Sequence, residues 1–188
     1  MTPKGSGAAP TSIVLAASYL LLFAYVGVYM PWFPPMLEAS GFDARAIGLA
    51  LALVTVPRAL LPPAWGLLAD RVRSRRRILV FCSALSGLAM LAQAMPLGPS
   101  SRMAWLFVHG FFLVPLFPLM DAITLTRLGA RADQYGRIRL WGSLGFIAAS
   151  FGFGALARTH GTSLVPWAAG LPMLGLSALA LLLRPRGE

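Results

Sequence analysis

The sequence predicts an all-α membrane protein of six transmembrane helices arranged as a 3+3 inverted repeat. Three observations carry that expectation. The first is composition: of 188 residues, 57% are hydrophobic and only 12% are charged, against about 25% charged in an ordinary soluble domain. So few charges cannot cover a water-facing surface, which excludes a soluble enzyme. The second is placement. Stretches 5–37, 78–101, 140–157 and 159–183 contain no Asp, Glu, Lys or Arg, and a bilayer-spanning helix needs about 20 mainly apolar residues. The third is a repeat: Pro31-Trp32-Phe33-Pro34-Pro35-Met36 and Pro115-Leu116-Phe117-Pro118-Leu119-Met120 both read P-x-F-P-x-M at an offset of 84. That offset equals three spans, and an odd number of crossings inverts the second copy relative to the first.

The elements follow in order. Residues 1–11 form an N-terminal tail, and 12–183 form one transmembrane domain with spans over 12–34, 46–69, 78–96, 103–125, 138–157 and 164–183. The apolar run of span 1, from Ser12 to Leu37, is far longer than the 7–15 residues of a signal-peptide core, so it stays in the membrane. Span 3 carries Cys82, the single cysteine, which rules out an intrachain disulfide and reads as a small buried hydrophobe. Residues 184–188 begin a central cytoplasmic loop or a C-terminal tail, and no room remains for a soluble domain.

The net charge of +10 resides in loops. Arg71, Arg73, Arg75, Arg76 and Arg77 follow span 2, Arg127, Arg131 and Arg137 follow span 4, and Lys4, Arg184 and Arg186 mark the ends; the opposite loops hold only Arg45, Arg102 and Arg158 beside Glu38 and Asp43. Positive residues in short loops stay on the cytoplasmic side. Both termini are therefore expected in the cytoplasm of a multi-pass inner-membrane protein. No polar domain carries a basic stripe, so nucleic acid is not expected as a partner. No metal-ligand spacing or cofactor motif is present.

The loop after span 2 reads Gly66-Leu67-Leu68-Ala69-Asp70-Arg71-Val72-Arg73-Ser74-Arg75-Arg76-Arg77. It resembles the G-x-L-A-D-R-x-G-R-[KR] signature of the major facilitator superfamily, with arginine in place of the usual second glycine. Gly27 through Pro34 with Leu37 is similar to span 1 of the lactose permease type of oligosaccharide/proton symporters. Arg58-Ala59-Leu60 through Gly66, Pro118 through Ala122, and Tyr135 through Phe146 look more like their phenylpropionate permease relatives. The resemblance implies the N-terminal half of a major facilitator fold. It further implies a gate formed by Gly66, Asp70, Arg71, Arg75 and Arg76, with Asp70 pairing to a helix end or an arginine. Members of that superfamily have twelve spans, so a second six-helix half is expected as partner, in cis or by homodimerisation, unless the chain is a truncated fragment.

Intramembrane charges are the informative residues, because each costs about 2.5–3.5 kcal/mol at a helix centre and must face a partner or cavity. They are Arg58, Asp121 and Arg139. Arg58 is either an anion-attracting group or a structural arginine bonded to carbonyls freed by Pro57, Pro62 and Pro63. By resemblance to the lactose permease type, Asp121 and Arg139 form the solute-binding pair. Arg139, Ser143 and Phe146 share one helical face, and Phe146 stands where the sugar permeases carry a stacking tryptophan. Gly145, Ala149 and Gly152 form a small-residue packing stripe. Tyr25, Tyr29 and Trp32 read as an aromatic belt at the outer interface, with solute contact the alternative. Ser143 with the two histidines, His109 and His160, does not assemble a protease constellation, so no catalysis is expected. The expected function is transport of a small organic solute, such as an aromatic acid or a sugar, with proton symport implied by the resemblance. A membrane assembly or interaction role on the same fold is the alternative.

Overall fold

The computed structural model describes residues 8–72 and 74–183, and among them it contains α-helices and one 3-10 segment but no strand. Helix α1 runs Ala8–Ala39, straight through Pro31, Pro34 and Pro35, and so takes up residues 8–11 of the expected tail. The expected helix over 46–69 is two helices. These are α2 (Ala44–Leu60) and α3 (Pro62–Val72), bent by 54° at Leu61. Pro57, Pro62 and Pro63 withhold three backbone donors around that point, which is why the helical ladder breaks there. Asp43 caps the start of α2 by accepting from the Ala46 N–H at 2.7 Å.

Helix α4 covers Arg75–Ala92. The expected span over 103–125 begins earlier and is also interrupted: α5 covers Pro99–Leu113 and α6 covers Leu116–Leu128, with Pro115 at the join. Gly129 ends α6 at φ +53°, a left-handed conformation that favours glycine, and a 3-10 segment over Gly129–Gln134 leads into α7 (Tyr135–His160). Helix α8 covers Val165–Leu182. By length and hydropathy, Thr11–Ala39, Pro99–His160 and Val165–Leu182 are long and apolar enough to cross a membrane, and the bent α2–α3 pair adds a fourth if it is one span. Helix α4 is 18 residues long but opens on three consecutive arginines. The chain is a multi-pass membrane protein.

The helices pack in matched pairs. Helix α1 lies on α7 and α8, α5 lies on α2 and α4, and α4 lies on α8. Missing side chains allow the closest approaches. A Cβ at Gly145 would lie 2.3 Å from the Leu20 carbonyl oxygen, and one at Gly27 would lie 2.4 Å from that of Phe146. On the other side, a Cβ at Gly110 would lie 2.6 Å from the Val54 Cα. Gly87 on α4 and Gly170 on α8 meet reciprocally, each Cβ position being 3.1 Å from the other's carbonyl oxygen. The packing stripe of α7 is Gly142 and Gly145, facing Phe23 and Leu20; Gly152, expected to join it, is exposed with no atom near its Cβ position. Two apolar flanks stay open: Leu49, Val56, Leu60 and Leu67 on α2–α3, and Leu140, Leu144, Ile147 and Phe151 on α7.

Candidate solute site between α1, α2, α6 and α7

Arg58, Asp121 and Arg139, the three charges expected inside the membrane, gather around aromatic side chains. Phe23 of α1 and Phe117 of α6 meet edge to face with ring centroids 5.8 Å apart and planes at 89°. Arg58 of α2 places its guanidinium carbon 5.5 Å from the Phe117 centroid. Arg139 of α7 places its own 4.9 Å from that of Phe23. The four groups thus form a row, cation–ring–ring–cation, drawn from four helices. A guanidinium over a ring face is attracted by the negative face of the π-system, which gives both arginines a seat without neutralising either.

Asp121 takes a different arrangement from the expected one. Its Oδ1 accepts from the Tyr19 hydroxyl at 2.5 Å and from the Tyr135 hydroxyl at 2.9 Å. Among the described residues no ion pair joins it to Arg139. Two phenolic donors satisfy the carboxylate, and Tyr19 and Tyr135 contact edge to face with centroids 6.4 Å apart. The two groups expected as one bidentate pair therefore stand on one site with separate supports. Ser143 is exposed on α7, and Phe146 is half-buried, its backbone pressed against Gly27.

Beside this row the bend at Leu61 opens a cavity of about 360 Å3 between α3 and α6. Arg58, Pro62, Trp65, Pro115, Phe117 and Pro118 contribute to its lining. Arg58 is exposed here, with its guanidinium on Phe117, rather than sealed among backbone carbonyls.

Tyr25, Tyr29 and Trp32 do not form an interfacial belt. Tyr25 is 2% exposed and its hydroxyl lies 2.8 Å from His109 Nε2. The other ring nitrogen, Nδ1, sits 2.9 Å from the Ser86 carbonyl oxygen. A carbonyl only accepts, so Nδ1 carries the hydrogen and Nε2 is left to accept from Tyr25. Tyr29 stacks between Tyr25 and Phe33, at 5.4 Å and 4.9 Å. The result is an internal column tying α1 to α4 and α5. His109 went unassigned by sequence reasoning except as a non-catalytic histidine. Its signal was its position, since a titratable ring inside an apolar span needs partners.

Of the expected gate, Gly66 and Arg71 are exposed on α3, and Arg75 is exposed at the start of α4. The side chain of Asp70 lies outside the described residues. Arg76 is engaged: its Nε donates to the Ala180 carbonyl at 2.9 Å and its Nη2 to that of Leu181 at 2.6 Å. Those oxygens belong to the last turn of α8, where carbonyls lack helical donors and carry the negative end of the helix dipole. A cation is favoured there for both reasons.

The family model described as "MFS_1 like family" matches residues 12–185. Among curated proteins, the chain is 31% identical over 180 residues to the maltose permease of Geobacillus stearothermophilus, covering 93% of this chain and 44% of that protein. It is 33% identical over 142 residues to the "Probable 3-phenylpropionic acid transporter" of Escherichia coli (strain K12), covering 72% of this chain and 36% of that protein. Among solved structures, the nucleoside transporter NupG superposes with a TM-score of 0.84 at 19% identity, covering 94% of this chain and 44% of that one. The chain thus spans less than half the length of these relatives. The match over nearly all of its residues shows that the chain belongs to the MFS_1 like family of major facilitator permeases.

Proposed function

We propose that the chain is the six-span, N-terminal half of a secondary transporter that moves a small organic solute by alternating access, with proton symport. The supporting observation is the convergence of Arg58, Asp121 and Arg139 on the Phe23–Phe117 pair, in a fold shared with a solved nucleoside transporter. Charges inside a membrane domain mark solute pathways. Relatives are named for a disaccharide, an aromatic acid and nucleosides, all small and polar. In this reading the six spans are α1, α2–α3, α4, α5–α6, α7 and α8, and Asp121, Arg139, Ser143, Phe146 and Arg58 line the path. Gly66, Asp70, Arg71, Arg75 and Arg76 act at the cytoplasmic gate.

Two contacts support the inverted repeat. When one set of three spans is related to the next by a two-fold axis, equivalent residues can touch each other only on that axis. Tyr25 and His109 touch, and they are separated by 84 residues, the offset of the P-x-F-P-x-M copies. Gly87 and Gly170 also touch, reciprocally, at one residue less. The packing is matched accordingly: α7 on α1 corresponds to α2 on α5, and α8 on α1 to α4 on α5. The open flanks on α2–α3 and α7 are the surfaces a second half would cover, supplied in cis or by another copy.

Uptake by the encoded protein reconstituted in vesicles tests the reading. Solute accumulation that collapses with the proton gradient is the expected outcome, and vesicles that move none of a sugar, an aromatic acid and a nucleoside would overturn it. Orientation is tested by Ser40→Cys, Ser100→Cys and Ser163→Cys, all exposed positions, since the native Cys82 is fully buried and should give little background. An impermeant thiol reagent should label all three from outside intact cells; protection of any one of them refutes the topology.

A further inference from the structure

A cleft of about 480 Å3 lies between α3, α4 and α5. The bend at Leu61 tilts α3 by 54° against α2, and the cleft occupies the space between the tilted helix and its two neighbours. Leu61, Ala64, Leu68 and Val72 form one stripe along it, at steps of three and four residues. Its floor is aromatic: Trp65 meets Phe111 at 5.3 Å and Phe112 at 6.2 Å, and Phe81 meets Phe112 at 5.8 Å, centroid to centroid. Trp65 lines both this cleft and the cavity beside Arg58; among the described residues the two share no other.

One lining side chain is charged. Arg77 follows Arg76 by one residue and diverges from it: Arg76 reaches the α8 carbonyls, whereas Arg77, one turn before Phe81, faces the cleft. Arg77 is exposed and has no carboxylate partner among the described residues. Arg75 is exposed nearby, and Ser74 gives α4 no side-chain cap, so the start of the helix adds positive potential. From Leu61 to Val72 the helical wall runs about 16 Å at 1.5 Å per residue. That is the depth of one leaflet in a hydrocarbon core about 30 Å thick.

These features fit a lipid. Lipid tails are as apolar as leucine, so a tail gains little from apolar contact alone. The cleft fixes where the tail lies, and the arginine at its end selects the headgroup. A guanidinium fork matches a phosphate in two parallel hydrogen bonds, and a headgroup with no cation of its own leaves that phosphate free to take them. Leu67, on the flank that a second six-helix half would cover, does not line the cleft, so the bilayer rather than that half supplies the occupant. We propose that this cleft seats an acyl chain of an anionic phospholipid, its phosphate held at the Arg77 guanidinium. In the orientation proposed above, the lipid belongs to the cytoplasmic leaflet.

Native mass spectrometry of the purified encoded protein reads bound lipid directly, with palmitoyl-oleoyl phosphatidylglycerol titrated against the phosphatidylcholine bearing the same chains. Phosphatidylglycerol is expected to bind about fivefold more tightly, the worth of one arginine near an anionic lipid surface. Arg77→Gln should bring it down to the level of phosphatidylcholine. Arg131→Gln, which removes an exposed arginine away from the cleft, should keep the preference within about twofold of the parent. Ala64→Trp fills the cleft and should weaken both lipids severalfold; Leu68→Trp serves if that variant melts more than a few degrees below the parent. The proposal is overturned if the parent holds both lipids equally, if Arg77→Gln keeps the preference, if Arg131→Gln loses as much as Arg77→Gln, or if the filled cleft holds phosphatidylglycerol as the parent does. The measurement needs no transport: vesicles that move no solute would sink the transporter reading and leave the lipid site standing, and equal binding of the two lipids would sink the lipid site alone.

Discussion

Helix α7 and the α2–α3 pair occupy corresponding places, one lying on α1 and the other on α5, yet they are built differently. Helix α7 is unbroken over 26 residues and rests on α1 at glycines, so that the two backbones nearly touch at Gly145 and Leu20. The α2–α3 pair meets α5 closely at Gly110, then turns away by 54° at Leu61, between Pro57 and the Pro62-Pro63 pair. The difference teaches where the two faces are stiff. Backbone-to-backbone contact leaves no side chain to adjust, whereas a proline-broken helix has already given up the hydrogen bonds that would hold it straight. Arg139 stands on the stiff element, and Arg58 stands at the bend. The two ends of the cation–ring row are thus held with unequal rigidity.

Three substitutions would break or sharpen the contrast. The largest effect is expected at the stiff contact: Gly145→Leu places a Cβ 2.3 Å from the Leu20 carbonyl oxygen with only backbone to yield. A loss of about 3 kcal/mol or more is expected, seen as a much lower melting temperature in detergent or no folded protein. Gly110→Ala places its Cβ 2.6 Å from the Val54 Cα, also backbone, but in a helix interrupted about two turns further on. Its expected cost is about 1–2 kcal/mol. Equal costs for the two would mean that the proline break confers no compliance. The smallest effect is expected at Gly152→Ala, where the Cβ meets no atom within 4 Å. A change within about 0.5 kcal/mol is expected; a large loss there would show that a second six-helix body packs on this part of α7.

The all-helical membrane character was legible because hydrophobic length is a local property. The break at Leu61 was half legible: Pro57, Pro62 and Pro63 announce missing hydrogen bonds, but whether a helix bends or runs on depends on its neighbours. Helix α1 runs on through Pro31, Pro34 and Pro35, and the equivalent Pro115 ends α5. Family resemblance carried over a pairing of Asp121 with Arg139, whereas Asp121 accepts from Tyr19 and Tyr135, two residues the resemblance did not weigh.

By itself the sequence determined the membrane class and the family, since these depend on composition, spacing and short motifs. Tertiary structure decided the partners. Tyr19 reaches Asp121 across 102 residues and Tyr25 reaches His109 across 84, and Arg58 joins Arg139 only through a phenylalanine from each of two further helices. A buried polar group bonds to whatever donor the packing brings within about 3 Å, and no spacing along the chain specifies which residue that will be.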